Sequence, residues 1–147
     1  METINLSKNF TLSEATRSSM AIKLKIDNSL SPKLLNDTIW FAQNVLQPIR
    51  DKIGKPFIIT SWYRSPALNK AVKGKDTSAH LSGTAIDFCV QGHTASESWD
   101  IVLVALKDLK ISFDQCINER NSKNGAMWVH LASKKTGNRN QSFKLIV

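Results

Sequence analysis

From Ser31 to Ile53 the apolar residues Leu35, Ile39, Ala42, Leu46, Ile49 and Ile53 recur at three- and four-residue steps, and this run constrains the fold of the 147-residue chain more tightly than any other. The spacing predicts a long amphipathic helix, with Ser31 as its N-cap, Pro32 in its first turn and Gly54 closing it. Pro48 falls inside it, where a missing N–H and a ring clash should bend the helix or end it early. Thr11 and Glu14 fit a capping box for a short helix over about 12–20, and Asp27-Asn28-Ser29 reads as a loop after it. After Pro56, Phe57–Thr60 has the β-branched and aromatic content of a strand, and Ser65-Pro66 opens a shorter helix through Val72, ended by Gly74.

A polar loop at 75–84 leads into a strand at Ala85–Val90, and Thr94 with Glu97 forms a second capping box for a helix whose buried stripe is Trp99, Val102, Leu103, Leu106 and Leu109. The last third reads as strands at Phe113–Glu119 and Met127–Ala132 joined as a hairpin, with a closing strand near Phe143–Val147. Helices come first and strands cluster late. That order predicts an α+β fold, an antiparallel sheet with helices packed on one side, rather than a doubly wound one.

The length and a 41% hydrophobic content suit one packed core, so a single domain over 1–147 is expected. A net charge of +8 implies attraction to polyanions, among them nucleic acids and the acidic polymers of bacterial walls. The lysines and arginines are scattered. Lys134-Lys135 with Arg139 is the one dense group and reads as a solvated surface, and without interleaved aromatic and basic residues nucleic-acid binding is the weakest reading. No apolar run approaches a membrane span and the N-terminus lacks a signal-peptide pattern, so synthesis in the cytoplasm is expected. Cys89 and Cys116 are too widely separated for a zinc ribbon or redox motif and are expected to be buried free thiols.

Two of the three histidines stand in settings that a metal site would explain. His80 sits in a Gly-containing loop, and seven residues later Asp87 interrupts a strand otherwise made of Ala, Ile, Phe and Cys, where a lone carboxylate needs a partner. His130 lies in the alternating strand Trp128-Val129-His130-Leu131 and shares a face with Trp128. Two imidazoles and a carboxylate are the ligand set of a catalytic zinc with one position left for water. His and Asp also occur in hydrogen-bonded core networks, and spacing alone leaves that alternative open. No HExxH helix is present.

The strings Ser61-Trp-Tyr-Arg-Ser-Pro-Ala-Leu-Asn69, Ser78-Ala-His-Leu-Ser-Gly-Thr-Ala-Ile-Asp87 and Trp128-Val-His130 resemble, in order and content, the zinc D-Ala-D-Ala carboxypeptidases of metallopeptidase family fifteen. That family's pattern, Ser-x-Tyr-Arg-Ser, Ser-x-His-x-x-Gly-x-Ala-x-Asp and a late Trp-x-His, is filled at every position. The opening Asn-Phe-Thr-Leu-Ser-Glu and Leu46-Gln-Pro-Ile-Arg50 look like its small phage and bacterial members. The family is similar in its zinc site to the hedgehog signalling domain. The resemblance implies zinc held by His80, Asp87 and His130, and an Arg64 beside it that holds a substrate carboxylate or polarises the scissile carbonyl. Ser78 would bond substrate or orient His80, while Tyr63, Trp128 and Trp62 flank the motifs and could line a substrate cleft.

Many members carry an acidic general base three residues before the last histidine, where this chain has Met127. Small members offer a second candidate in Asp-Gln-x-Ile-x-Glu, matched here by Asp114–Glu119. A two-residue turn at Asn124-Gly125 would place Glu119 directly opposite His130 and make it the base. The function implied is a monomeric zinc peptidase that cuts the stem peptide of bacterial peptidoglycan, as a carboxypeptidase or endopeptidase. It would act as a phage endolysin released through a partner such as a holin, or be carried on a virion. The alternative, motivated by Met127, is an inactive zinc-binding structural or interaction module of the same fold.

Overall fold

The computed structural model describes residues 3–147. In chain order the elements are α1 (Leu12–Thr16), α2 (Ser19–Leu24), α3 (Pro32–Phe41), a π-helical stretch (Ala42–Leu46), α4 (Gln47–Ile53), β1 (Phe57–Ser61), α5 (Pro66–Ala71), a 3-10 turn (Ala79–Ser82), β2 (Ala85–Val90), α6 (Ala95–Asp108), β3 (Gln115–Arg120), β4 (Met127–Ala132) and β5 (Gln141–Ile146). This is the expected α+β class. The chain forms two compact units: the segment up to Gln47 with Ser61–Ala85, and Pro48–Thr60 with Ile86–Val147. No helix among the described residues is long and apolar enough to cross a membrane.

In the first unit α1 starts where expected but stops short of the single helix expected over 12–20. The Thr11–Glu14 capping box forms, but the chain turns extended at Arg17 and Ser18 caps a separate α2. The segment 61–65 is tied down by Asn28, whose amide donates to the carbonyls of Thr16 and Tyr63 and whose oxygen accepts from the Ser65 N–H. Trp62 is 1% exposed and packs edge-on against Phe10 and Phe41, with ring centroids 6.0 and 6.2 Å away. Its indole N–H donates to the Gly83 carbonyl at 2.8 Å. Gly83 takes a left-handed φ of 71°, and a Cβ there would meet Thr38 Oγ1 at 2.1 Å, so glycine is required on two counts.

The long helix neither ends early nor stops at Pro48. It widens instead: between α3 and α4 the Gln47 N–H reaches back five residues to the Ala42 carbonyl, and the π stretch closes just before the proline ring. A widened turn is one way for a helix to accommodate a residue that has no N–H and needs room at the preceding carbonyl.

The second unit is built on the sheet. Among the described residues its strand order is β1-β2-β4-β3-β5, with β3 antiparallel to β4 and parallel to β5. The closing strand is therefore a parallel partner of β3, not a continuation of the hairpin meander. Capped by the Thr94–Glu97 box, α6 lies on the face carrying Cys116, Asn118, Val129 and Leu131, where Asn118 donates to Ser96 and the Trp99 indole donates to the Cys116 carbonyl. Cys89 and Cys116 are free, partly and fully buried respectively, and burial raises both thiols, Cys116 to about 12. Both stay protonated at neutral pH and are poor nucleophiles.

Asp114, immediately before β3, anchors the 133–140 loop. Arg139 donates to it through Nε at 3.0 Å and Nη2 at 2.8 Å, and the Arg139 backbone N–H donates at 3.2 Å. The guanidinium holds the carboxyl below its usual range, outweighing the opposing effect of burial. A carboxyl depressed on folding contributes stability above its unfolded pKa of about 4 and loses it as pH falls through the folded value. Asp114→Asn is therefore expected to lower stability by about 1.5 kcal/mol at pH 7, a modest figure because Arg139 stays in water. Denaturant midpoints of wild type and variant should converge only in acid, below pH about 4.

Candidate metal centre

His80 is placed by a short turn. Ser78 caps it, its hydroxyl accepting the His80 N–H at 3.2 Å, and the Arg64 N–H donates to the His80 carbonyl at 3.0 Å. The imidazole is 1% exposed, with Nδ1 only 2.5 Å from the Trp62 carbonyl oxygen. A carbonyl can only accept, so Nδ1 carries the proton and the lone pair sits on Nε2. This is the outer hydrogen bond that orients a metal-ligating histidine.

Asp87 lies on β2 and its backbone carbonyl accepts from Thr60 Oγ1 at 3.2 Å. Its Oδ1 lies 2.9 Å from His130 Nδ1, with the two side chains 14% and 12% exposed. Such an approach suits either an N–H donated to the carboxylate or two lone pairs facing one cation. His80, Asp87 and His130 each offer one ligand atom, and the three atoms lie within 4.8 Å of one another. Two imidazoles and a carboxylate, one imidazole with its tautomer set by a backbone carbonyl, fit the donor set of zinc.

Glu119 is not opposite His130. The observed partners are Glu119 with Trp128 and Ile117 with His130. The turn is longer than two residues: Asn121 Oδ1 accepts from the N–H groups of Lys123 and Asn124, the Gly125 N–H donates to the Asn121 carbonyl, and Gly125 alone takes a left-handed φ of 73°. An Asx turn has displaced the two-residue hairpin. The pairing slips by two, which preserves the face, so Glu119, Ile117, Trp128 and His130 all project to one side. Trp128 donates its indole N–H to Glu119 Oε2 at 3.1 Å. Met127, three residues before His130 on the same strand, points to the opposite side.

Arg64 is held by Asn69, a residue of the Ser61–Asn69 string. Its Nη1 donates to Asn69 Oδ1 at 3.1 Å, while the Asn69 amide donates to the Lys75 carbonyl at 3.0 Å. Gly74 passes so close that a Cβ would meet Asn69 Oδ1 at 2.1 Å and Arg64 Nη1 at 2.6 Å. Lys73 supplies the left-handed residue of the helix end, at a φ of 59°, and the Gly74 N–H closes it by donating to the Asn69 carbonyl at 2.8 Å, so Gly74 serves both termination and close approach. An asparagine inside a short helix followed by a glycine was the available signal. Tyr63 and Trp62 are buried, 4% and 1% exposed.

One imidazole from the 3-10 turn, with a carboxylate and a second imidazole from the sheet, makes a group that could hold a metal ion, and Glu119 adds a further carboxylate on the sheet face that His130 shares. A family model for peptidase M15 matches residues 8–118, and the chain belongs to that family, whose peptidases are zinc-dependent. Comparison with curated proteins finds no match. The matched span includes Arg64, Ser78, His80 and Asp87 and stops short of Glu119, Trp128 and His130, so the case for those three rests on geometry.

Proposed function

We propose that the chain is a zinc peptidase that hydrolyses a peptide bond in the stem peptide of bacterial peptidoglycan. The observation that carries the reading is the convergence of His80, Asp87 and His130 in a member of a peptidase family. In this reading those three residues hold the metal. Bound zinc supplies a Lewis acid and a water acidified towards neutral pH. Glu119 takes the proton of the attacking water and passes it to the leaving amine. Trp128, by donating to Oε2, orients the carboxylate for that transfer. Arg64, its fork braced by Asn69, holds a substrate carboxylate, for which a planar two-pronged cation is suited.

The net charge of +8 draws the protein to acidic wall polymers. Delivery through a partner's pore or on a virion would bring it to the wall. Mass spectrometry of purified peptidoglycan after digestion by the zinc-loaded protein should reveal fragments with new amino termini inside the stem. Stoichiometric zinc with no such fragments would overturn the reading in favour of a binding module.

A further inference from the structure

β5 is anomalous for a parallel strand. Parallel pairs are normally covered on both faces, yet every residue of Gln141–Ile146 is exposed. Its pairing with β3 matches Ile117 with Phe143 and Glu119 with Leu145. Two rungs therefore run across one face of the sheet: His130, Ile117 and Phe143 in the first, Trp128, Glu119 and Leu145 in the second. On the opposite face Lys144 reaches the ring of Trp99 on α6, its Nζ 5.9 Å from the centroid. That leaves Phe143 and Leu145, 37% and 38% exposed, as a partly exposed apolar strip continuous with the face of Glu119 and His130. An exposed apolar edge invites aggregation and is normally blunted by charge, but this strip carries none on that face.

We propose that Phe143 and Leu145 form an apolar subsite that holds the substrate peptide beside Glu119 and selects an uncharged, apolar side chain there. The inference rests on the peptidase reading above. Strands lie about 4.8 Å apart, so Leu145 stands one spacing from Glu119 and Phe143 two spacings, roughly 10 Å, from His130. An extended peptide covers that distance in about three residues. The occupant is thus a side chain within a few positions of the cut bond. An anionic side chain would lose water there and face the Glu119 carboxylate.

The test uses the full-length, zinc-loaded protein and solubilised peptidoglycan. Phe143→Ser combined with Leu145→Ser should raise the apparent KM by about tenfold, the scale of an apolar pocket contact, and leave kcat within about twofold. Leu145→Ala alone should move KM in the same direction. Ile146→Ser, on the opposite face, should change neither constant. An unchanged KM in both strip variants, or a loss confined to kcat, sinks the subsite alone. Wild-type protein that releases no fragments at all sinks the peptidase reading and the subsite with it.

Discussion

His130→Ala is expected to strip the protein of zinc. Wild type should carry one zinc per chain, and the variant's affinity should fall by more than the roughly 10–100-fold that loss of an outer partner alone costs a metal site. His80→Ala and Asp87→Ala should behave alike, because a cation held by three side chains keeps only two after any one of these substitutions. His130 is the sharper test, since it lies beyond the residues matched by the family model. It comes from β4, an interior strand whose neighbours Val129 and Leu131 are fully buried, so the strand does not depend on the metal for its position. Circular dichroism should show an unchanged fold, the hydrophobic core being sufficient at this chain length. Elemental analysis showing full zinc in all three variants, or none in wild type after growth with zinc, would count against the site itself.

What the sequence revealed of this site follows from which forces are local. The two capping boxes, Thr11 with Glu14 and Thr94 with Glu97, each involve four consecutive residues and form as read. His80 and Asp87 were conspicuous because a carboxylate in an apolar strand is costly unless it has a partner, and His130 lies within hydrogen-bond distance of it. The register of β3 and β4 differs from the expected one because it depends on competing turn chemistries. The Asn124-Gly125 pair favours a two-residue turn, whereas Asn121, four residues before Gly125, captures two backbone N–H groups and lengthens the loop. The face of Glu119 survived the error because a slip of two restores the alternation.

Non-local features were the least legible. Nothing in the periodicity from Leu35 to Ile53 announces that five residues will widen into a π turn ahead of Pro48, because the apolar stripe is nearly the same in either geometry. The parallel pairing of β5 with β3 depends on the path of the 133–140 loop, locked by Asp114 and Arg139, which no short pattern encodes. The bracing of Arg64 likewise needs Asn69, Gly74 and Lys75 brought together by the end of α5.

Glu119→Gln should keep its zinc and its fold while hydrolysis falls by a factor of about 100 or more, the scale of lost general-base catalysis. The amide has the carboxylate's shape, and its oxygen can still accept the Trp128 N–H, so the substitution removes little except the ability to take a proton. That isolates the chemistry from the architecture. The alternative position for an acid, three residues before His130, is occupied by Met127, and on this strand an odd separation sends that side chain to the other face. An acid introduced as Met127→Glu should consequently fail to rescue Glu119→Gln. Trp128→Phe keeps the ring and deletes the donor, so it should cost less than the Glu119 substitution, because the carboxylate remains and only its orientation is loosened. Peptidoglycan digestion followed by fragment release separates these outcomes. Near-normal turnover by Glu119→Gln, or rescue by Met127→Glu, would show that the proton is taken elsewhere and that sharing a face with His130 is not what selects the base.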